Sequence, residues 1–473
     1  MTGSFRMLIL IVWLLLLMGC QGFTLLSAGS ADWAIESVTL IEGKGEVRWD
    51  HRVVVEGDRI VWVGPMSAGG PQAAETIDGH NQFLIPGLWD AHVHYLYDEE
   101  LTEAMPDLFL DHGITSVRDT GGDLDRLIAL RSGWKTAGRA MPRFYLSGPL
   151  LDGRLVVYDG KAAAQPALGM SIPDVVAAKM TVAHLKNRGA DFIKIYELVS
   201  PEVFAALVDA ARAEGMPIAS HVPLSLPADI AGPQVDSMEH LRNIDLACAR
   251  NWRAMLEARR DRLTGFDGLR GYPLRRELHD AQRYQSIADY DPSRCADVLE
   301  TLGETMQVPT LRLNAFYHSR PFEDEVFEHA LLGLPESVRV RWREDVEALR
   351  EPGREWDLRF ANWSIGLVGD MHAVDIPIAA GTDTPIRLAI PGESLHRELE
   401  LLVESGLSPQ DAIFAATVVP ARFFGLDSQM GRILEGQRAD LVLLRANPLE
   451  AIRNTREIRG VVAAGEWVRR EAP

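Results

Sequence analysis

Leu84-Ile85-Pro86-Gly87-Leu88-Trp89-Asp90-Ala91-His92-Val93-His94 is an apolar run that ends in two imidazoles, two residues apart. Side chains at i and i+2 of a strand project from the same face, so both rings can address one point. The same plan recurs along the chain. Pro217-Ile218-Ala219-Ser220-His221, Asp236-Ser237-Met238-Glu239-His240 and Ile376-Pro377-Ile378-Ala379-Ala380-Gly381-Thr382-Asp383 each finish on a side chain that can hold a metal. Asp191-Phe192-Ile193-Lys194-Ile195-Tyr196 carries a lysine inside a β-branched and aromatic run.

Eight strands can be placed between residues 82 and 383. They are Gln82 to His94, Ile114 to Asp119, Arg143 to Gly148, Asp191 to Tyr196, Pro217 to Val222, Asp236 to Leu241, Met306 to Leu311 and Ile376 to Asp383. Helical stretches alternate with them, such as Val203 to Glu214 before Gly215 and Ser394 to Glu404 before Gly406. This order predicts an α/β fold, a (β/α)8 TIM-like barrel whose strands deliver their functional groups at their C-terminal ends. A doubly wound open sheet would want a glycine-rich phosphate loop after its first strand, and none is present. The stretches from Arg242 to Glu304 and from Arg312 to Val374 are long for barrel connections, charged and Arg-rich. They read as added helices over the mouth.

Both chain ends alternate apolar and polar residues between turns, as in Trp33 to Leu40, Val53 to Val55, Ile60 to Val63, Ala439 to Leu444 and Arg459 to Val468. They predict short antiparallel strands that join into a small β-sandwich domain. The expected organisation is a leader at 1–19, a tether at 20–32, sandwich segments at 33–85 and 425–473, and the barrel at 86–424.

Arg6 is followed by the apolar Met7 to Met18 and then Gly19-Cys20. The run is short for a membrane span and right for a signal-peptide core. Leu17-Met18-Gly19-Cys20 resembles a bacterial lipobox, which implies lipid on Cys20 and a chain exported to the cell envelope and anchored to a membrane. No later segment is apolar enough to cross one. The net charge of −19 argues against a nucleic-acid partner. Cys248 and Cys295 remain. They lie in no metal-like or nucleophile-like pattern and are expected as two separate thiols, although an oxidising compartment would allow them to pair.

Lys194 stands out. Only six of the 48 basic residues are lysine, and none follows position 194. Burying an unpaired ammonium is unfavourable, so the position calls for chemistry that arginine lacks. A desolvated amine is nucleophilic and can take up carbon dioxide as an anionic carbamate. The alternative is a buried salt bridge to a carboxylate such as Glu197 or Glu239. Arg118 and Asp119 are expected either to line the mouth or to make a structural ion pair. His396 is expected at a helix surface or behind a ligand.

The order His-x-His, strand Lys, strand His, strand His, strand Asp resembles the amidohydrolase superfamily with a binuclear metal centre. Pro86 to His94 looks like that family's first strand, and Gly392 to Glu400, Ala416 to Ala421 and Gly431 to Leu444 resemble its last segments. Gly113 to Asp119 and Val308-Pro309-Thr310-Leu311 are similar to the imidazolonepropionase-related and prolidase-like branch. The resemblance implies two divalent ions, zinc by default, with His92, His94 and Asp383 on one and His221 and His240 on the other. Carboxylated Lys194 would bridge them, a hydroxide between the ions would attack, and Asp383 would carry its proton to the leaving nitrogen. The implied reaction is hydrolysis of a C–N bond in a small amide, dipeptide or cyclic amide. Peptidase relatives carry an aromatic residue shortly after the strand-5 histidine, whereas here His221 precedes Val222-Pro223-Leu224. Two other readings compete. One is a mononuclear deaminase or ring-opening hydrolase, which would usually lack the lysine. The other is a non-catalytic ligand-binding lipoprotein, which should have lost a ligand.

Overall fold

The computed structural model describes residues 31–470 except 162–164, 265–267, 352 and 354. The leader and Cys20 lie outside the described residues. Among these residues no helix is long and apolar enough to cross a membrane.

The N-terminal end supplies β1 (Ala31–Leu40), β2 (Arg48–Glu56), β3 (Arg59–Pro65), β4 (Ala73–Asp78) and β5 (Phe83–Pro86). The middle supplies β6 (Leu88–Val93), β7 (Ile114–Asp119), β8 (Arg143–Leu146), β9 (Leu150–Asp152), β10 (Gly169–Ser171), β11 (Ile193–Ile195), β12 (Ile218–Ser220), β13 (Ser237–Glu239) and β14 (Met306–Val308). The C-terminal end supplies β15 (Leu441–Leu444), β16 (Ile458–Ala463) and β17 (Glu466–Arg470).

The two chain ends share one eight-stranded sheet, ordered β17-β16-β15-β5-β1-β2-β3 with β4 on β1. Period-2 alternation puts Trp33, Ile35, Val53, Val55, Leu441 and Leu443 into one buried cluster, while Ala34 and Val54 pack with Trp62 in another. The hairpins β1–β2, β2–β3, β15–β16 and β16–β17 are antiparallel as expected. β4 and β5 run parallel to β1 instead.

The expected single strand from Gln82 to His94 is two strands in different sheets. Gly87 is the change-over: its N–H bonds to the Asp440 carbonyl at 2.7 Å, and the next N–H, of Leu88, bonds to the Gly113 carbonyl at 3.0 Å. A Cβ at Gly87 would lie 2.2 Å from Thr115 Oγ1, so only glycine permits the close passage.

The middle strands are parallel. β6-β7-β8 form one run and β10-β9-β11-β12-β13-β14 another. The Asp191 N–H bonds the Leu146 carbonyl at 2.8 Å, linking the end of β8 to the start of the β11 segment. The expected last strand, Ile376 to Asp383, is not a regular strand. It makes isolated parallel bridges, Ile378 to Gln307 of β14 and Thr384 to Val93 of β6, and the Ala91 N–H bonds the Ala380 carbonyl at 2.9 Å. The backbone of Asp383 is left-handed, φ 61, which interrupts regular pairing and re-aims the side chain.

Both long insertions are helical as expected. The first carries helices Trp252–Thr264, Gly271–Ala288 and Pro292–Thr301, and the second Glu336–Leu349 and Arg359–Ala373. The expectation of two separate thiols is corrected: Cys248 and Cys295 form a disulfide. The Asp291 N–H bonds the Cys248 carbonyl at 2.9 Å, and Ala249 bridges Tyr290. This folds the first insertion back on its own start and brings the sulfurs together.

Candidate metal centre

His92, His94, Lys194, His221, His240 and Asp383 all line one cavity of about 490 Å³. Each arrives from a different place along the parallel strands: His92 and His94 from β6 and its C-terminal edge, Lys194 from β11, and His221 and His240 just past β12 and β13. His240 and the following Leu241 have left-handed backbones, φ 63 and 58. The His92 and His240 ring centroids are 4.5 Å apart, His221 and His240 4.7 Å, and His92 and His94 5.2 Å.

The hydrogen bonds decide which nitrogen each ring offers. His92 Nδ1 donates to Glu239 Oε2 at 2.5 Å, and His221 Nδ1 donates to Glu197 Oε1 at 2.6 Å. His94 Nδ1 faces the Gly121 carbonyl at 3.4 Å. His240 Nδ1 donates to Thr310 Oγ1 at 2.7 Å, and that hydroxyl passes its own hydrogen to the Pro309 carbonyl at 2.8 Å. The Nδ1 atoms of His92, His221 and His240 are thus occupied as donors and their Nε2 atoms keep a lone pair. This is the tautomer that metal ligation needs. His94 is held more loosely, with Nδ1 facing Gly121 and Nε2 meeting Thr120 Oγ1 at 3.4 Å. Asp383 Oδ1 lies 3.3 Å from His92 Nε2 and 3.2 Å from His94 Nε2. His92, His240 and Asp383 each bring a ligand atom within 4.8 Å of the others.

Three buried atoms of the candidate ligands have no hydrogen-bond partner among the described residues: His92 Nε2, Asp383 Oδ1 and Lys194 Nζ. Buried polar groups are normally satisfied, so three orphans converging on one cavity fit a group that accepts lone pairs. The donor set, imidazole nitrogen and carboxylate oxygen, suits zinc or a similar divalent ion.

Lys194 is fully buried. Its Nζ is 3.9 Å from Glu239 Oε1, too long for a hydrogen bond. Glu239 is already engaged, because Oε1 accepts from Arg118 Nη2 at 2.7 Å and Ser237 Oγ at 2.8 Å, and Oε2 holds His92. Glu197 is engaged too, by His221 and by His279 Nε2, each at 2.6 Å, and by Arg275 at 3.1 and 3.2 Å. Neither carboxylate hydrogen-bonds the lysine. Burial pulls the Lys194 ammonium down to about 7, against the opposing pull of Glu239, so near neutrality a substantial share of it is the free amine.

Burial also lowers His221, to about 3, with help from the Lys194 charge, and it drives His240 well below the ordinary range. These rings stay neutral. Burial pushes Glu239 up, but Arg118 and Lys194 outweigh it and hold the carboxyl well below its usual value. Burial likewise opposes ionisation of Asp383, while the neighbouring imidazoles of His240, His92 and His94 hold its carboxyl well below the usual value.

Arg118 and Asp119 are buried and do not line the mouth, and Arg118 makes the structural ion pair expected as the alternative. Arg118 holds Glu239, and Asp119 accepts the Tyr95 N–H at 2.8 Å. His396 is fully buried and hydrogen-bonded to Thr455 at 2.9 Å, so it is no surface residue. Thr310 and His279, which complete the supports of the ligands, carry no local signal in the sequence. His279 sits in the Arg-rich insertion, 82 residues from Glu197.

Residues 362–468 match the model of the amidohydrolase family. The imidazolonepropionase of Micrococcus luteus is 36% identical over 64 residues, a match that spans 14% of this chain and 16% of that relative's length. The imidazolonepropionase of Rubrobacter xylanophilus is 27% identical over 425 residues, covering 85% of this chain and 86% of that relative. A Xaa-Pro dipeptidase solved with methionine in its active site superposes with TM-score 0.63 at 21% identity, over 92% of this chain and 99% of that one, a likeness of fold. The chain is thus similar to the amidohydrolase family over residues 362–468, to an imidazolonepropionase over most of its length, and to a Xaa-Pro dipeptidase in fold.

Proposed function

We propose that this chain is a metal-dependent hydrolase of a C–N bond in a small amide, dipeptide or cyclic amide, with two divalent ions and a carboxylated Lys194 between them. The observation that carries the reading is the set of three imidazoles with Nδ1 tied back, His92, His221 and His240, beside His94, the orphaned Asp383 Oδ1 and Lys194 Nζ. The two parallel runs, linked by the Asp191–Leu146 bond and by bonds from residues 376–384 to β6 and β14, support a closed (β/α)8 barrel. The shared terminal sheet, with its own core, supports a small β-sandwich domain built from residues 33–85 and 425–473 around a barrel at 86–424.

His92, His94 and Asp383 would hold one ion and His221 and His240 the other. The Lys194 amine would add to carbon dioxide, forming an N–C bond and releasing a proton, and the resulting carbamate would be an anionic oxygen donor for the ions. When bound, such ions bring water's pKa towards neutrality and polarise a carbonyl. Asp383 takes the proton from the attacking water and returns it to the leaving nitrogen, a carboxylate held ionised by its neighbours. Glu197, Glu239 and Thr310 fix the ring orientations throughout.

A second reading, a mononuclear ring-opening hydrolase or deaminase, draws on the imidazolonepropionase relatives and on the tight trio His92, His240 and Asp383. Metal stoichiometry separates the two. Protein reconstituted at neutral pH with bicarbonate should carry about two divalent ions per chain, and one ion at saturation would favour the mononuclear site.

The Cys248–Cys295 bond suits an oxidising compartment. It agrees with export and a lipid anchor at Cys20, and with a small-molecule substrate met outside the cytoplasm.

A further inference from the structure

Guanidinium groups gather where helix Gly271–Ala288 meets the turn after β13. Arg242, Arg259, Arg275 and Arg283 are within electrostatic reach of one another or of the same acids, Glu197 and Asp245. Arg275 is satisfied by Glu197. Arg259 donates to Gln282 Oε1 at 2.7 Å and Asn243 Oδ1 at 2.8 Å. Arg242 and Arg283 differ. Both line the cavity of the metal centre, and neither has a carboxylate within ion-pair distance among the described residues.

Arg242 follows the left-handed His240-Leu241, which keeps it beside the ligand His240. Its Nε is shut off from solvent and donates to no described residue. Arg283 stands on the helix that roofs the cavity. Its guanidinium lies 4.2 Å from the Phe360 ring centroid, and Nη2 meets only His279 Nδ1, at 3.4 Å. Holding two guanidinium groups in a half-buried wall with no carboxylate in direct contact is unfavourable. Asp280 and Asp383 also line the cavity, but Asp280 is paired with Arg276, and Asp383 faces His92 and His94. A wall of this kind is completed by an anion from outside, and the planar fork of a guanidinium fits a carboxylate.

We propose that Arg242 and Arg283 form a two-point anion subsite that selects substrates with two carboxylates, one beside the scissile C–N bond at Arg242 and a second farther along at Arg283. The substrate class is then N-acyl derivatives of glutamate or aspartate, acidic dipeptides included. The inference rests on the C–N hydrolase reading and names the substrate of that site.

The test uses the metal-loaded chain. Cleavage of alanyl-glutamate is compared with alanyl-glutamine, and binding of N-acetylglutamate with N-acetylglutamine by calorimetry. The acidic member should be favoured at least about tenfold in both kcat/KM and Kd, the scale of one charge-assisted contact. Arg283→Gln should bring both ratios close to one, and Arg283→Lys should leave an intermediate ratio because it keeps the charge and loses the fork. Arg242→Gln should weaken both members of each pair, since both carry the first carboxylate. Cleavage without acidic preference would overturn the subsite and leave the hydrolase standing. Tight, Arg283-dependent binding of N-acetylglutamate without cleavage of any peptide would support the subsite and count against the hydrolase. Equal binding of the two N-acetyl compounds overturns the subsite whatever the activity.

Discussion

Lys194 Nζ lies 3.9 Å from Glu239 Oε1 in a fully buried site, and the two do not hydrogen-bond. The pair stands at the outer limit of ion-pair distance, whereas a lysine placed for a salt bridge would hydrogen-bond the carboxylate. Instead Glu239 is saturated by Arg118, Ser237 and His92. Lys194→Arg and Lys194→Glu therefore separate the two roles. Arginine keeps the charge and cannot become a carbamate, so it should lose both metal occupancy and kcat. Glutamate brings a carboxylate to the same place and should retain part of the metal. Metal analysis of the two variants decides: an arginine variant with both ions and wild-type turnover would refute the bridge.

Glu239 also sets a pH dependence. Its folded pKa is held well below the ordinary value by Arg118 and Lys194. A depressed carboxyl pKa adds stability above the unfolded value of roughly 4.3, and that stability is lost as pH falls below it towards the folded pKa. In metal-free protein, urea unfolding between about pH 4 and 3 should show stability falling with acid. Glu239→Gln should flatten that slope by up to one proton, ~1.4 kcal/mol per pH unit. The same variant leaves the buried Arg118 without its counter-ion and should be less stable near neutrality by about 3 kcal/mol. An unchanged acid slope would mean that Glu239 is not held as an anion.

The disulfide gives a prediction about both stability and compartment. It closes a separation of 47 residues, for which loop-closure entropy suggests about 4 kcal/mol at most. Cys295→Ser should lower unfolding free energy by about 2–4 kcal/mol and loosen the insertion that carries Arg275, His279 and Arg283. Protein isolated from the cell envelope should show no free thiol at 248 or 295 before reduction. Cys20→Ala should release the chain from the membrane fraction, since the lipid would be its anchor. Free thiols in the exported protein would count against the pairing.

Much of this architecture is legible in the sequence, because apolar runs ending in a functional side chain report burial and direction locally. β7 begins and ends where the pattern places it, at Ile114 and Asp119. Helix Pro201–Ala213, capped by Ser200, lies within a residue or two of its expected span. The six candidate ligands converge because each ends or interrupts such a run. Gly87 escapes the pattern, since residues 82–94 stay apolar while the hydrogen bonds change sheet. Residues 376–384 escape it through the left-handed Asp383. The supports of the ligands are hidden for another reason. Glu239 and His92 are 147 residues apart, His240 and Thr310 are 70 apart, and Cys248 and Cys295 are joined only when the insertion folds back. Periodicity records which face is buried and carries no information about partners at that range.

Glu197 links the metal centre to the roof of the cavity, and its removal should be read at both ends. One carboxylate oxygen holds His221 Nδ1, the other holds His279 Nε2, and Arg275 bonds to both. Burial keeps His279 neutral, its pKa well below the ordinary range, so its Nε2–H is a donor that needs an acceptor. Glu197→Gln keeps the shape, but only one of its two terminal atoms can accept. It cannot orient His221, satisfy His279 and neutralise Arg275 together. Affinity for the ion that uses His221 should fall about 10–100-fold, the usual effect of losing such a support, while the ion at His92 and His94 should stay. Amide exchange across helix Gly271–Ala288 should speed up in the same variant. His279→Phe is the control, because it removes the roof contact and leaves the His221–Glu197 hydrogen bond in place. It should speed exchange in the helix with little change in metal affinity. If Glu197→Gln binds both ions as tightly as the wild type, Glu197 serves the packing of the roof alone, and the orientation of His221 must come from the contact of its ring with Tyr196, 4.4 Å between centroids.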